Sequence, residues 1–192
     1  MKTYQVITAA TTYPVSLTEA KSHLKVDTTA DDTYIESIIK AATQLSEEYT
    51  NRFFIDTVIE QYASSFAELQ TLFKSKVSAV AHVKYYDSDN SLQTLSASVY
   101  DTQLNYEPSQ IQLADGQSFP TITKRNDAVL ARYTVGYGSA ASDVPEIIKQ
   151  AILLTIGNFY ENRNSVITGK TATELPMNVK WLLDTYKVQI VG

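Results

Sequence analysis

The chain has 192 residues, 44% hydrophobic and 19% charged, with only six glycines and five prolines, the make-up of one packed domain and not of a disordered or collagen-like chain. Sixteen basic against twenty-one acidic side chains leave a net charge of −5, which argues against a protein that works by neutralising nucleic-acid phosphates. The absence of cysteine excludes a disulfide scaffold, a zinc–thiolate or iron–sulfur site and a thiol nucleophile.

In chain order, Met1 to Ala10 has no apolar core of the kind a signal peptide needs, so a protein made and kept in a cytosol is expected. No run of about 18 apolar residues predicts a spanning helix, and no membrane partner is expected. Pro14-Val-Ser16-Leu-Thr-Glu19 has the form of a capping box and predicts a short helix to Leu24. After Asp31-Asp32, residues Ile35, Ile38, Ile39, Ala42, Leu45 and Tyr49 recur at helical spacing, with Glu36, Lys40, Gln44 and Glu47 opposite. This predicts a long amphipathic helix with an acidic start.

From Phe53 to Gly138 helical periodicity gives way to β-branched and aromatic residues alternating with polar ones. The pattern predicts strands at Thr57–Tyr62, Leu69–Phe73, Ala81–Tyr86, Leu92–Leu95, Gln110–Leu113 and Ala128–Tyr137, with a hairpin turn at Asp87-Ser-Asp89-Asn90. In the last strand Val129, Ala131, Tyr133, Val135 and Tyr137 share one face, and Arg132 and Thr134 the other. Pro145 then opens a second long helix, apolar around most of its circumference and therefore buried on several sides. A Thr- and Gly-rich loop, Asn162 to Glu174, leads to Pro176 and a last helix ending near Tyr186. That loop exceeds most helix–helix connections, so it is expected to be mobile or functional.

Motifs for chemistry are weak. Gly136-Tyr-Gly138-Ser-Ala-Ala141 follows a strand and fits a loose dinucleotide pattern, but Asp143-Val-Pro145 delays the helix that would cradle a pyrophosphate, so a strand-ending turn is favoured. Asp87-Ser-Asp89 begins like a calcium loop but has Leu92 and Ser98 where glycine and glutamate belong. His23 and His82 lack ligand spacing, and the adjacent pairs Asp31-Asp32 and Glu47-Glu48 do not face each other on a helix. No catalytic residue, cofactor or metal site is predicted. Tyrosine is over-used, thirteen against one Trp and six Phe, which suits half-exposed interfaces or, more plainly, strands. On the last helix Leu175, Val179, Leu182, Leu183 and Tyr186 form one stripe, with Met177, Trp181 and Val188 roughly opposite. One face packs on its own domain, and the other calls for another layer of core or a partner subunit.

The order of these blocks carries a resemblance. Pro14-Val-Ser-Leu-Thr-Glu-Ala-Lys-Ser-His-Leu-Lys-Val-Asp27, Asp31-Asp-Thr-Tyr-Ile-Glu-Ser-Ile-Ile-Lys-Ala-Ala42 and Glu48-Tyr-Thr-Asn-Arg52 resemble the N-terminal half of the head-tail connector proteins (adaptor, head-completion proteins) of long-tailed bacteriophages and prophages. Val83-Lys-Tyr-Tyr-Asp87 is similar to that family's central hairpin and Arg132-Tyr-Thr-Val-Gly-Tyr-Gly138 to its last strand. Val144-Pro-Glu-Ile-Ile-Lys-Gln-Ala151 with Phe159-Tyr-Glu-Asn-Arg163 is similar to its long helix, and Thr173-Glu-Leu-Pro176 to the start of its last one. The resemblance fades after Tyr186.

It implies an α+β chain forming a single domain. Two long and two shorter helices make a helical core at residues 14–52 and 145–186, with a β-rich insertion at 53–138 and a tail at 187–192. It implies a structural virion protein of the neck, assembled in the bacterial host cytoplasm as a homo-oligomeric ring of twelve. Its partners would be the portal protein, a tail-side neck or completion protein, and passing DNA that it does not bind tightly. The rivals are a cytosolic ligand-binding or hydrolytic α+β domain and a different neck or tail completion protein. Partner-facing residues are expected at Met177, Trp181 and Val188. Ile190 and Val191 join them in a tail that alternates like a strand and gains backbone hydrogen bonds by adding to a partner's sheet edge.

Overall fold

The computed structural model describes residues 3–74, 76–163 and 175–188. Its elements run β1 (Thr3–Thr8), α1 (Leu17–Leu24), α2 (Asp32–Thr50), β2 (Thr57–Ala63), α3 (Phe66–Leu69), β3 (Val77–Tyr86), β4 (Leu92–Thr94), β5 (Tyr100–Gln103), β6 (Gln110–Leu113), β7 (Val129–Val135), α4 (Glu146–Glu161) and α5 (Met177–Asp184). Helices and antiparallel sheet together bear out the α+β class. The chain divides into two compact units, one from the described parts of residues 1–10, 51–137 and 188–192, the other from residues 11–50 and 138–187.

The first unit holds an antiparallel five-stranded sheet in the order β1-β2-β7-β3-β4, and a separate β5–β6 ribbon. The strand with the cleanest alternation, β7, is central. Its Val129, Ala131, Tyr133 and Val135 are buried on the core face, while Arg132 and Thr134 on the other face are half-buried. Ile59, Val77, Val83, Leu69 and Leu72 pack on the same core, capped by Phe66 stacked on Phe119 with centroids 4.2 Å apart. The Tyr133 hydroxyl, fully buried, donates to Gln61 Oε1 at 2.6 Å, and the Phe73 amide is shared between those two oxygens at 2.9 Å. Gln61 Nε2 donates to the Thr71 carbonyl at 3.0 Å, so the polar groups at the centre of this core satisfy one another. Burial holds the Tyr133 hydroxyl far above the usual phenol range, so it stays a neutral donor.

The strand expected at Leu69–Phe73 is corrected. Ser65 accepts from the Glu68 amide at 3.2 Å and Glu68 Oε2 accepts from the Ser64 amide at 3.0 Å, so this stretch opens as the helical turn α3; only Thr71 bridges, to Gln110. Strands β1 and β5 were not expected, and β3 begins four residues earlier than predicted, at Val77. The hairpin turn holds as read: Asp87 Oδ1 accepts from the amides of Asp89 and Ser91 at 3.0 and 2.9 Å, and Asn90 takes a left-handed φ of 58°. At the end of β7, Gly136 adopts φ 150°, and a Cβ there would lie 2.6 Å from the Asp56 amide nitrogen, so the Gly-x-Gly is a turn built for close backbone approach.

One ion pair anchors this unit. Arg52, buried, makes paired hydrogen bonds of 2.9 and 2.5 Å to the half-exposed Glu107, whose carboxyl is held below the usual range by them. Glu107→Ala is expected to cost about 1–2 kcal/mol at pH 7 in urea denaturation, kept modest by the exposure of the carboxylate. Because Glu107 is depressed when folded, the pair's stabilisation is present above its unfolded pKa of about 4.3 and is lost as pH falls through the folded value. The variant should therefore lose less stability than the native chain as pH falls below that unfolded value; parallel acid limbs would show that the pair contributes nothing.

The second unit is helical. The capping box forms as the sequence predicts: Ser16 Oγ accepts from the Glu19 amide at 3.2 Å and Glu19 Oε2 accepts from the Ser16 amide at 2.8 Å. The Ser16 hydroxyl also donates to Glu19 Oε2 at 2.6 Å, and that bond, ahead of the one from the Ser16 amide, holds the Glu19 carboxyl low. On α2, Ile35, Ile38, Ile39 and Ala42 are buried, and α4, which packs on α1, α2 and α5, buries Ile148, Ala151, Ile152 and Ile156. Ile147 at the start of α4 remains exposed, so that helix is covered on fewer sides than its composition suggested.

Candidate docking surface

Pro176 fixes the start of α5, and Leu175, Val179 and Leu183 bury one side of it against Leu45, Tyr49, Ala151 and Leu154. Each such apolar side chain contributes about 2 kcal/mol, enough to fix which way the short helix faces. Polar contacts at its far end fix it further: the Tyr49 hydroxyl donates to Asp184 Oδ1 at 2.5 Å, and Lys187 Nζ lies 4.5 Å from the Tyr49 ring centroid. The hydrogen bond to Asp184 raises the Tyr49 pKa. The opposite side carries Met177, 69% exposed, and Trp181, 70% exposed, one helical turn apart. They are the only tryptophan of the chain and its only methionine besides Met1. A large apolar patch left in water is the informative exception to ordinary burial.

Val188 does not share that face. The helix ends at Asp184, short of the Tyr186 expected, so the helical wheel does not extend to Val188, which is only 8% exposed. Ile190 and Val191 lie outside the described residues, as does most of the loop at 164–174.

A second apolar feature of the helical unit has no counterpart in the sequence reading. A groove of about 580 Å³ is floored by Val15, Leu17 and Ile39, walled by the exposed ring of Tyr13, and edged by Glu36, Ser37 and Lys40. It exists because the capping box turns Pro14–Leu17 across the solvent side of α2. The signal available was the pairing of Tyr13 and Val15 just outside that box, an apolar lead-in that a capped helix commonly uses.

Most tyrosines are accounted for inside the chain. The Arg163 guanidinium sits 4.3 and 4.5 Å from the Tyr34 and Tyr160 rings and 2.9 Å from Asp31 Oδ2, which also accepts from Tyr160 at 2.6 Å. Those hydrogen bonds, Arg163's first, hold Asp31 low. Arg125 lies 3.6 Å over Tyr86, and Lys76 lies over Tyr137. Tyrosine here braces cations on the chain's own surface, leaving Tyr13 and Tyr106 as exposed rings.

A titratable cluster lies across the sheet, where Glu60, Arg132 and His82 are cross-strand neighbours. Glu60 pairs with Arg132 at 2.8 Å and accepts from Tyr62 at 2.7 Å, which pushes the Tyr62 hydroxyl up to about 12. Burial, ahead of the nearby Lys84 and Arg132, lowers His82, so its ring is neutral at pH 7 and its Nε2, 3.9 Å from Glu60, forms no hydrogen bond to it. The carboxylate is committed to Arg132 and Tyr62. Among the described residues no group of three His, Asp or Glu side chains could hold a metal, and no helix is long and apolar enough to cross a membrane.

No curated protein matches the sequence. Six solved chains match, and three of them show the likeness in fold. One, from the neck of an empty gene transfer agent (GTA) particle computed with C6 symmetry, matches at TM-score 0.77 and 21% identity, over 98% of this chain and 97% of that one. A chain of the native GTA virion matches at 0.74 and 22%, over 98% and 96%. A third, from the neck of the native GTA particle computed with C12 symmetry, matches at 0.74 and 20%, over 98% and 97%. In sequence, the family model described as phage gp6-like head-tail connector protein matches residues 14–115, just over half of the chain, from the lead-in to the capping box through the β5–β6 ribbon. The chain is therefore a member of the phage gp6-like head-tail connector family.

Proposed function

We propose that this chain forms a ring in the particle neck, joining the portal protein on one side to a tail-side completion protein on the other, around the path of the DNA. The observation that carries this is the family match across residues 14–115. The C6 and C12 symmetries of necks that contain chains of this fold support a ring, and twelve copies are the count we adopt. The helical unit is the core of the chain and the sheet unit, to which the N-terminal strand β1 also belongs, a β-rich insertion in it, and the family match takes in parts of both. Assembly takes place in the bacterial host cytoplasm, and Met177 and Trp181 supply a contact with another subunit. The tail, with Ile190 and Val191, docks on the portal rim.

The test is capture of the full-length chain by its cognate portal protein. A stable complex is expected, and a chain that neither binds portal nor enters particles would overturn the reading. A ring around DNA gains nothing from sticking to it, because a cation repeated in every copy multiplies the attraction to phosphate. The net charge of −5 fits that requirement. Purified protein is accordingly expected to show no submicromolar duplex binding at physiological salt; salt-sensitive submicromolar affinity would contradict a passive channel.

A further inference from the structure

The exposed face of α5 and the groove beside α1 are two unlike apolar features on one helical unit, one convex and one concave. We infer that they are the two halves of the subunit contact: Met177 and Trp181 of one copy seat in the Tyr13–Ile39 groove of the next copy. This rests on the ring reading above. Copies related by a rotation that closes a ring each use one patch towards one neighbour and a different patch towards the other. A self-complementary patch would pair two copies and stop.

The placement of the two features fits a ring. Both are referred to α2, where successive residues turn by about 100°: Leu45 and Tyr49 face α5, and the groove edge of Thr33, Glu36, Ser37 and Lys40 is centred about 150° away. The knob and the hole thus lie on roughly opposite sides of the helical unit, as head-to-tail assembly requires. Size and chemistry also match. The groove, at about 580 Å³, falls in the range of cavities that enclose a bulky apolar group, and its floor of Val15, Leu17 and Ile39 is apolar. The Glu36 carboxylate on the rim offers an acceptor for the indole N–H, which a tryptophan entering an apolar slot needs. Tryptophan and methionine are the residue types enriched at such contacts.

The absence of cysteine makes the contact directly measurable. Two full-length variants, Thr185→Cys and Ser37→Cys, put single thiols at exposed positions, the first one turn beyond Trp181 and the second on the groove edge. With a short bismaleimide, their mixture at high protein concentration is expected to give at least tenfold more cross-linked dimer than either variant alone. Adding Trp181→Ala to the Thr185→Cys chain should remove that product. Three results would overturn the contact: no excess of mixed dimer, equal cross-linking of Thr185→Cys with itself, or a product indifferent to Trp181→Ala. Portal capture separates this inference from the reading beneath it. Capture without the cross-link retires the contact alone, and the cross-link without capture retires the connector role.

Discussion

Trp181→Ala is expected to weaken self-association at least about thirtyfold while changing the stability of the folded monomer by less than about 0.5 kcal/mol. The two numbers differ because the indole is in water in the single chain, 70% exposed, so truncating it leaves no cavity and breaks no internal packing. Buried at a contact, a tryptophan anchor is commonly worth 2 kcal/mol or more. Sedimentation over a concentration series gives the association constant, and circular dichroism melting of dilute protein gives the stability. Val179→Ala, on the other side of the same turn, should reverse the pattern, costing about 2–4 kcal/mol of folding through a cavity among Leu45, Ala151 and Leu183. A Trp181→Ala chain that melts early yet associates normally would place the residue in the chain's own core.

Tyr133→Ala should be the most damaging single change in the sheet unit, at about 3–5 kcal/mol, a large share of the 5–15 kcal/mol that ordinarily holds a domain. The ring is fully buried at the middle of the central strand, between Ile59 and Val80 as cross-strand neighbours. Tyr133→Phe separates packing from polarity: the ring stays, but Gln61 Oε1 loses its 2.6 Å donor and keeps only the shared Phe73 amide. A loss of about 1–2 kcal/mol is expected for that variant. Hydrogen exchange at the amides of β7 is the suitable readout, because it reports this unit directly, whereas Trp181 fluorescence reports the helical one. Equal protection in Tyr133→Phe and native protein would show that the Gln61–Tyr133–Phe73 network adds nothing to the packing.

Legibility followed the range of the forces involved. The capping box at Ser16 and Glu19, the period of α2, the alternation of β7 and the Asp87 turn are short-range patterns, and each was written in neighbouring residues. Strand β1 was missed because residues 3–8 become a strand only by pairing with β2, Thr3 with Tyr62 and Thr8 with Val58, far along the chain. Strand β5 is likewise defined by β6 across the ribbon. Around Leu69 two local rules competed: apolar residues suggested a strand, but the Ser65 and Glu68 cap closed a helical turn first. For the docking surface the sequence marked Met177 and Trp181 as a face needing cover. It misplaced Val188, because a wheel drawn through Tyr186 assumed a helix that stops two residues earlier. The groove was hidden because a concavity belongs to no single element; it forms where Pro14–Leu17 passes over α2.

The chain passes between its two units four times, near residues 10, 50, 137 and 187. A single backbone cut at any one crossing would leave three peptide strands still linking sheet unit to helical unit, so a protease nick there cannot release either as a free fragment. Neither unit is a contiguous stretch of sequence, and each can be expressed alone only by re-splicing the chain. Under tension the crossings are unequal: those near 50 and 137 run covalently into the body of the sheet unit, whereas the one near 10 leads into β1, which is held there only by its pairing with β2, so that a pull through it loads backbone hydrogen bonds.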